Sequence, residues 1–159
     1  MKKSSPIYST AIVCCAFLLG CGGQETGITG SQCDRIDCSF DELTCHLYED
    51  PTPAYKLFYK RIFEGGEGFE YAAIVVINLD ALDDYNDLVL EGEDFTNRVL
   101  LYRPGVGEQW PEYDDGKLDI SKGGSAPGQQ LVGKASFRFN NGFFASAYFD
   151  CTLEAPLQE

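Results

Sequence analysis

The sequence predicts an all-β protein, a small disulfide-linked antiparallel β-sandwich that follows a signal peptide and a flexible tether. Three observations carry this prediction. Aromatic residues make up 13% of the 159 residues, and Tyr, Phe and Val favour strands. Several short segments alternate between apolar and polar residues, and Gly-, Pro- and Asn-containing turns separate them. Four cysteines lie beyond residue 30, an even number that is typical of an exported, disulfide-linked domain.

The charge balance narrows the class of partner. The chain carries 25 Asp and Glu against 12 Lys and Arg, for a formal net charge of −13. A protein that binds nucleic acid needs a basic face for the phosphates, so we expect no nucleic-acid partner. The hydrophobic content of 44% suffices for the packed core of a single domain.

The first element has the layout of an export signal. Lys2 and Lys3 precede a mostly apolar run from Ile7 to Leu19, which at about thirteen residues is short for a membrane-spanning helix. The run ends in "LLGC", residues 18–21. This stretch resembles the lipobox of bacterial lipoproteins. The resemblance implies cleavage after Gly20 and attachment of a diacylglycerol group to Cys21, with acyl chains such as palmitate. The chain would then be anchored in the lipid bilayer of the cell envelope.

The resemblance also implies a domain organisation and a cellular location. Residues 1–20 are the lipoprotein signal peptide, residues 21–32 the lipidated Cys and a small, polar, flexible linker, and residues 33–159 the β-sandwich domain. In bacterial lipoproteins the residue after the lipidated cysteine influences sorting. Here that residue is Gly22 and not Asp, which favours the outer membrane over the inner membrane.

The four remaining cysteines allow three disulfide connectivities. Their spacing does not match the paired CxxC of a zinc knuckle, and an exported protein meets oxidising conditions. Cys45 and Cys151 each lie on the apolar face of an alternating segment, which places both on core-facing stripes. We therefore predict Cys45–Cys151, between the first and last strands, and Cys33–Cys38 as a small loop.

The clearest predicted element is the C-terminal hairpin around "NNG", residues 140–142. A two-residue turn would pair apolar with polar positions. A three-residue loop pairs Phe139 with Phe143, and with them apolar with apolar residues along both strands. We therefore predict the three-residue loop, with Gly142 in the left-handed conformation of a G1 bulge.

Two segments precede the middle of the chain. "FEYAAIVVINL", residues 69–79, is apolar on both parities and predicts a central strand covered on both faces. Residues 53–64 fit a helix by the spacing of Tyr55, Phe58, Tyr59, Ile62 and Phe63, with Thr52 and Pro53 at its start. They also fit a strand that "EGGEG" joins to the next one. The aromatic content favours the strand, and both alternatives stay open.

The acidic segment "DALDDYNDL", residues 80–88, is expected to be a solvated loop or a helical turn. Its carboxylates make Asp83, Asp84 and Asp87 weak candidates for calcium ligands. The spacing of an EF-hand is absent, so we predict no metal and no cofactor. The rest of the chain holds further short strands and loops, six to eight strands in all.

Trp110 and Tyr113 lie in the predicted loop "GVGEQWPEYDDGK". Aromatic residues in such loops stack on ligands or cover the open end of a core, so both residues are candidate ligand-binding residues. The single histidine, His46, is expected on the surface or on a sheet face. No serine occupies a GxSxG elbow, and a Cys–His pair is excluded if Cys45 is oxidised. No catalytic residue is predicted.

The folded part resembles uncharacterised β-sandwich domains of bacterial lipoproteins. The sequence thus predicts a membrane-anchored cell-envelope lipoprotein whose domain is a non-enzymatic binding or structural module. An envelope protein or a glycan is the candidate partner besides the lipid bilayer. The alternatives are an envelope hydrolase and a calcium-stabilised adhesion module.

Overall fold

The all-β prediction is confirmed. The computed structural model describes residues 26–49, 51–105 and 107–157, and within them most residues lie in strands. The signal peptide and Cys21 lie outside the described residues. The strands are β1 (Gly27–Thr29), β2 (Glu42–Tyr48), β3 (Ala54–Ile62), β4 (Phe69–Asn78), β5 (Leu88–Glu91), β6 (Val99–Tyr102), β7 (Tyr113–Gly123), β8 (Gln130–Phe139) and β9 (Phe144–Glu154). One helix, α1 (Gly92–Arg98), joins β5 to β6, and a 3-10 turn spans Ser31–Asp34.

The strands form one curled, mixed sheet. Its order is β5-β7-β8-β9-β2-β3-β4-β6, and β1 pairs separately with β9. All pairings are antiparallel except that between β2 and β9, which is parallel and covers only Cys45 with Leu153 and His46 with Glu154. Strand β9 therefore joins two halves of the sheet, β5-β7-β8-β9 and β2-β3-β4-β6. The sheet curls at this junction, and the halves share one hydrophobic core.

Alternating side chains of both halves fill that core. In β3, Tyr55, Leu57 and Tyr59 are fully buried. The Tyr55 hydroxyl donates a hydrogen bond to the Gly124 carbonyl at 2.6 Å, and the Tyr59 hydroxyl donates one to the Tyr148 carbonyl at 3.0 Å. Burial raises the pKa of both phenols, because a phenolate would lose its hydration there. These bonds tie the two halves of the sheet together across the core.

Both predicted disulfides are present. Cys45–Cys151 joins β2 to β9, next to the parallel pairing between these strands, and Cys33–Cys38 closes a short loop near the start of the fold. Cys45 is fully buried, as its place on the apolar stripe of β2 predicts. The first bond crosses the junction of the two half-sheets, where the backbone pairing is short.

The C-terminal hairpin has the predicted register. Phe137 pairs with Ala145, and the Phe139 amide donates a hydrogen bond to the Phe143 carbonyl at 2.9 Å. Gly142 adopts φ 85°, the left-handed conformation that glycine takes without a steric penalty. The apolar-to-apolar pairing argument is therefore confirmed in detail.

The ambiguous segment at residues 53–64 is a strand. Residues 54–62 form β3, and the glycine-rich loop after it leads directly into the antiparallel β4. Strand β4 lies between β3 and β6, as expected for the central strand. Its residues 72–75 are buried on both parities. The segment at residues 80–87 is an irregular loop with turns.

The structure corrects two boundaries. The linker predicted over residues 21–32 is shorter, because β1 pairs with β9 and the 3-10 turn follows it. The ordered fold thus includes residues from 26 onward and not only from Cys33. Strand β7 begins at Tyr113, so the last part of the predicted loop, residues 113–117, belongs to this strand. No described helix has the length and apolar character needed to cross a membrane.

Helix α1 is an addition that the sequence analysis did not predict. Strands β5 and β6 end the sheet path, so the helix between them spans the gap that the curl leaves open. Its Phe95 is fully buried and contacts Phe137 and Tyr113, with ring centroids 5.4 and 6.0 Å apart. Glu93 and Asp94 in its first turn and Arg98 in its last complement the helix dipole.

We expect the two disulfides to contribute unequally to stability. Cys45–Cys151 links residues 106 apart and Cys33–Cys38 residues 5 apart. The chain-entropy relation gives about 4.7 kcal/mol for a 100-residue loop and about 2 kcal/mol for the short one. In denaturant unfolding, Cys45→Ala/Cys151→Ala should lower the free energy of unfolding more than Cys33→Ala/Cys38→Ala does. Equal losses would contradict this account of the junction.

Gly116 tests the packing of α1 on the sheet. A Cβ atom at this position would clash with the Phe95 ring and with the backbone carbonyl of Ser136. Gly116→Ala should therefore lower the free energy of unfolding by about 1–3 kcal/mol. Gly107→Ala is the matched control, because nothing lies within 4 Å of an added Cβ there. Thermal unfolding of both variants measures the difference, and an unaffected Gly116→Ala would show that α1 packs elsewhere.

Candidate functional site

The outer surface of β2, β3, β4 and β6 is aromatic. Side chains alternate across a sheet, so the residues between the core positions of these strands point away from the core. Register places Phe58 opposite Ile74, and Ile74 opposite Tyr102. We name this surface the aromatic face and define it by one set of outward-facing rings: Tyr48, Phe58, Phe69, Tyr71 and Tyr102.

The rings contact one another across the strands. The ring centroids of Phe58 and Tyr71 are 5.6 Å apart, and those of Phe69 and Tyr71 are 5.2 Å apart at an interplanar angle of 76°. His46 of β2 packs edge-on against Phe58 at 5.5 Å. Edge-to-face contacts at these distances are favourable between aromatic rings. They also fix the orientation of each ring on the sheet.

A large part of this face is exposed. Phe69 is 50% exposed, Tyr102 43% and Leu100 of the same face 54%, whereas Phe58 and Ile74 are buried beneath their neighbours. Isolated apolar side chains on a surface need no explanation, but a contiguous apolar patch marks an interaction site. The aromatic face is such a patch, since its exposed residues border its buried ones on adjacent strands.

The tyrosines on the two sides of the sheet differ in their hydrogen bonds. Tyr55, Tyr59 and Tyr113 donate to backbone carbonyls. No hydrogen bond of the Tyr71 or Tyr102 hydroxyl joins it to another group in the described part of the chain. Burial, and then the nearby Tyr102 and Tyr48, raise the pKa of Tyr71. The three phenol rings therefore lie close together on this face.

Two lysines are the cations of this face. The Lys56 ammonium lies 4.0 Å from the centroid of the Tyr48 ring, a cation–π distance. The Lys60 ammonium lies 5.5 Å from the Phe69 ring centroid and 3.9 Å from a carboxylate oxygen of Glu42. Lys60 is thus paired with a carboxylate, whereas Lys56 has none within 4.0 Å among the described residues.

His46 lies on the sheet face as expected, but it is only 1% exposed. Its Nδ1 lies 2.7 Å from the Ala155 carbonyl oxygen, so Nδ1 carries the donated proton. Its Nε2 has no hydrogen-bond partner among the described residues, and lies 3.8 Å from a Glu154 carboxylate oxygen. The adjacent Cys45 is in a disulfide, so the two residues do not form a thiolate–imidazole pair.

The candidate ligand-binding residues Trp110 and Tyr113 both pack against the core. Trp110 is only 8% exposed, stacks on Phe139 at 5.8 Å and donates its indole N–H to the Ala72 carbonyl at 3.2 Å. The Tyr113 hydroxyl donates to the Val99 carbonyl. Both side chains therefore contribute to one end of the core, which was the other role open to them, and Trp110 is the more deeply buried of the two.

The acidic loop does not form a cation site. Asp84 accepts a hydrogen bond from the Asn86 amide at 2.9 Å, and this bond is the main cause that lowers its pKa. Asp87 occupies a left-handed turn position with φ 51°. Asp83, Asp84 and Asp87 do not converge, since no group of three or more His, Cys, Asp or Glu side chains within the described ranges is arranged to hold a metal.

A depression on the opposite outer surface, formed by β5, β7 and β8, is a weaker candidate. Its charged residues pair with one another. The Lys117 ammonium lies 2.7 Å from Glu91, and the Arg138 guanidinium lies 3.9 Å from Asp115. Such exposed pairs are typical of a solvated surface and contribute little. The depression therefore combines paired charges with the exposed Phe144 ring, whereas the aromatic face has several rings in contact with one another.

No protein family, curated protein or solved structure matches this chain. The geometry of its own residues therefore carries the functional argument. Sequence reasoning missed the aromatic face, although a signal was present. In "YKLFYK", residues 55–60, Phe58 interrupts the polar side of an otherwise clean alternation, and residues 72–77 are apolar on both sides.

Thr44 gives a test of this face that does not depend on a ligand. Its hydroxyl is buried on the outer side of β2 with no hydrogen-bond partner among the described residues. Thr44→Val keeps the shape and removes the unpaired group, so it should raise the free energy of unfolding by about 1 kcal/mol. The exposed Thr152→Val is the control and should change it by less than about 0.5 kcal/mol. Destabilisation by Thr44→Val would indicate that the hydroxyl has a partner in solution.

Proposed function

We propose that this protein is a lipid-anchored lipoprotein of the bacterial cell envelope and that its domain is a non-enzymatic binding module. Its binding surface is the aromatic face. The observation that carries the proposal is the exposure of Phe69, Leu100 and Tyr102 around buried neighbours on one outer surface of the curled sheet. Water contact of such a patch is unfavourable, so covering it with a partner releases free energy.

The composition of the face supports binding. Tyrosine offers a large, rigid ring together with a polar hydroxyl, and few rotamers are lost when it is held by a partner. The rings are already oriented by contacts such as that of Phe58 with Tyr71, which reduces the ordering cost of binding. A binding module with a preformed surface fits this geometry.

The groups that a hydrolase would need have other roles. His46 is fixed by the Ala155 carbonyl and is almost completely buried. Cys45 and Cys151 are oxidised, and Asp115 of the charged depression pairs with Arg138. A nucleophile, a base and an accessible cleft do not come together in the described ranges, which favours binding over catalysis.

The proposed membrane location rests on the sequence. Lys2 and Lys3, the apolar run and the "LLGC" of residues 18–21 follow in the order of a lipoprotein signal. Two acyl chains on Cys21 would give stable attachment to a bilayer, whereas one chain gives only marginal binding. The sorting position Gly22 favours the outer membrane.

Mass spectrometry of the intact, membrane-extracted protein tests the anchor. We expect a mass that starts at Cys21 and includes the acyl chains, and a soluble or uncleaved product for Cys21→Ala. Four further cysteines should be alkylated only after reduction, because Cys33, Cys38, Cys45 and Cys151 form two disulfides. An unmodified Cys21 in the membrane-extracted chain would contradict the proposed lipid anchor.

Site-specific photo-crosslinking in cells tests the binding surface separately. Benzoylphenylalanine in place of Tyr102 puts the reactive group on the aromatic face. In place of Tyr148 it puts the group on the opposite surface, where Tyr148 is also an outward-facing tyrosine. We expect crosslinks to an envelope component from position 102 and few from position 148. Equal yields from the two positions would contradict the choice of face.

A further inference from the structure

We infer that the aromatic face binds a neutral polysaccharide chain. The inference rests on the proposed function, because it names the class of ligand for the same surface. Three features of the face support it: the spacing of the rings, the polar groups between them and the charges around them.

The rings are spread across four neighbouring strands. Tyr48 lies on β2, Phe58 on β3, Tyr71 on β4 and Tyr102 on β6, and these strands are adjacent in that order. Three interstrand spacings of about 4.8 Å give a width of about 14 Å. Phe58 is buried within this width, so the rings open to a ligand are those of Tyr48, Tyr71, Phe69 and Tyr102. Their extent exceeds a single sugar ring and suits several consecutive units of a polymer. An open outer sheet face also suits an extended chain better than a small molecule, which needs a concave pocket.

Sugar rings are suited to such a surface. A pyranose ring presents a face of C–H groups, and their partial positive charge is attracted to the negative face of an aromatic ring. Phe69 and Tyr102 are about half exposed and so are available for this contact. The ring edges of the sugar remain polar and need hydrogen-bond partners beside the aromatic platform.

Those partners are present on the same face. The hydroxyls of Tyr48, Tyr71 and Tyr102 make no hydrogen bond to another described group, and a phenol both donates and accepts. The Lys56 ammonium, held over the Tyr48 ring at 4.0 Å, has three donors and no carboxylate within 4.0 Å in the described ranges. A ligand rich in hydroxyl groups can therefore be satisfied at its edges while its C–H faces stack on the rings.

The charges argue for a neutral chain. A polyanion would be repelled by the net charge of −13, and the same repulsion opposes an anionic membrane surface. A cationic partner would meet the Lys56 ammonium on the face itself, while the charge of Lys60 is offset by Glu42. An uncharged polymer avoids both penalties, and among uncharged polymers a polysaccharide combines apolar ring faces with many hydroxyl groups.

Calorimetric titration of the full chain in detergent tests the inference. The probes are cellohexaose and the hexamer of N-acetylglucosamine as neutral chains, and an oligomer of galacturonic acid as the charged comparison. We expect binding of at least one neutral hexamer and binding of the charged oligomer that is weaker by about tenfold or more, the effect of one strong contact.

Variants assign the binding to the face. Tyr102→Ala should weaken binding of the neutral chain by about tenfold, while Tyr102→Phe, which keeps the ring, should weaken it by less. Lys56→Gln removes a lysine next to Tyr48, and Lys134→Gln removes the matching lysine that lies 4.9 Å from the Tyr148 ring on the opposite surface. Only Lys56→Gln should reduce affinity. Thermal unfolding of each variant verifies that the domain is folded.

Three results would overturn the inference: failure of both neutral hexamers to bind the folded chain, equal binding of the galacturonic acid oligomer, or equal loss of affinity in Lys56→Gln and Lys134→Gln. The proposed function would fail in a different way, by equal crosslinking yields from positions 102 and 148. Crosslinks from position 102 to an envelope protein, without any polysaccharide binding, would leave the aromatic face as a binding surface and exclude the polysaccharide.

Discussion

The junction between β2 and β9 determines the rest of this structure. Only two residue pairs connect these strands by parallel pairing, and the Cys45–Cys151 bond lies beside them. Backbone pairing this short is weak, whereas the covalent bond restricts the unfolded chain over more than a hundred residues. The curl that brings the two half-sheets together depends on this junction. Without it the Tyr55 and Tyr59 hydroxyls would not reach their carbonyl partners on the other half.

The curl also explains why one outer surface is aromatic. A sheet that folds onto itself buries one face of each half, and the other face usually becomes polar. The β5-β7-β8-β9 half follows this rule in part, with charged residues such as Lys117 and Arg138 beside the exposed Val89 and Phe144. The β2-β3-β4-β6 half does not, because Phe58 and Ile74 are buried on its outer side by their own neighbours. That half therefore has apolar residues on both faces, but only its inner face packs in the shared core.

The sequence allowed the elements with strong local patterns to be predicted. Pairing Phe139 with Phe143 was the only register that joined apolar residues, and Cys45 and Cys151 lay on stripes whose parity gave their direction. Strand β5 and helix α1 were missed because four- and seven-residue segments are too short for a periodic pattern to show. Trp110 was ambiguous because its partners, Ala72 and Phe139, are distant in sequence. The aromatic face was missed because alternation assigns one side to the core and leaves the other side unexamined.

Strand β1 has a consequence for how far the domain can move. Gly27 is already held against Tyr148, so six residue steps separate it from Cys21. Fully extended, they span about 20 Å. A domain of this size is about 35 Å across by the usual scaling of compact chains. If Cys21 carries the lipid, the tether between the lipid and the domain is shorter than the diameter of the domain. The domain would then stay next to the bilayer surface. Any partner would have to come within about one domain diameter of the membrane surface.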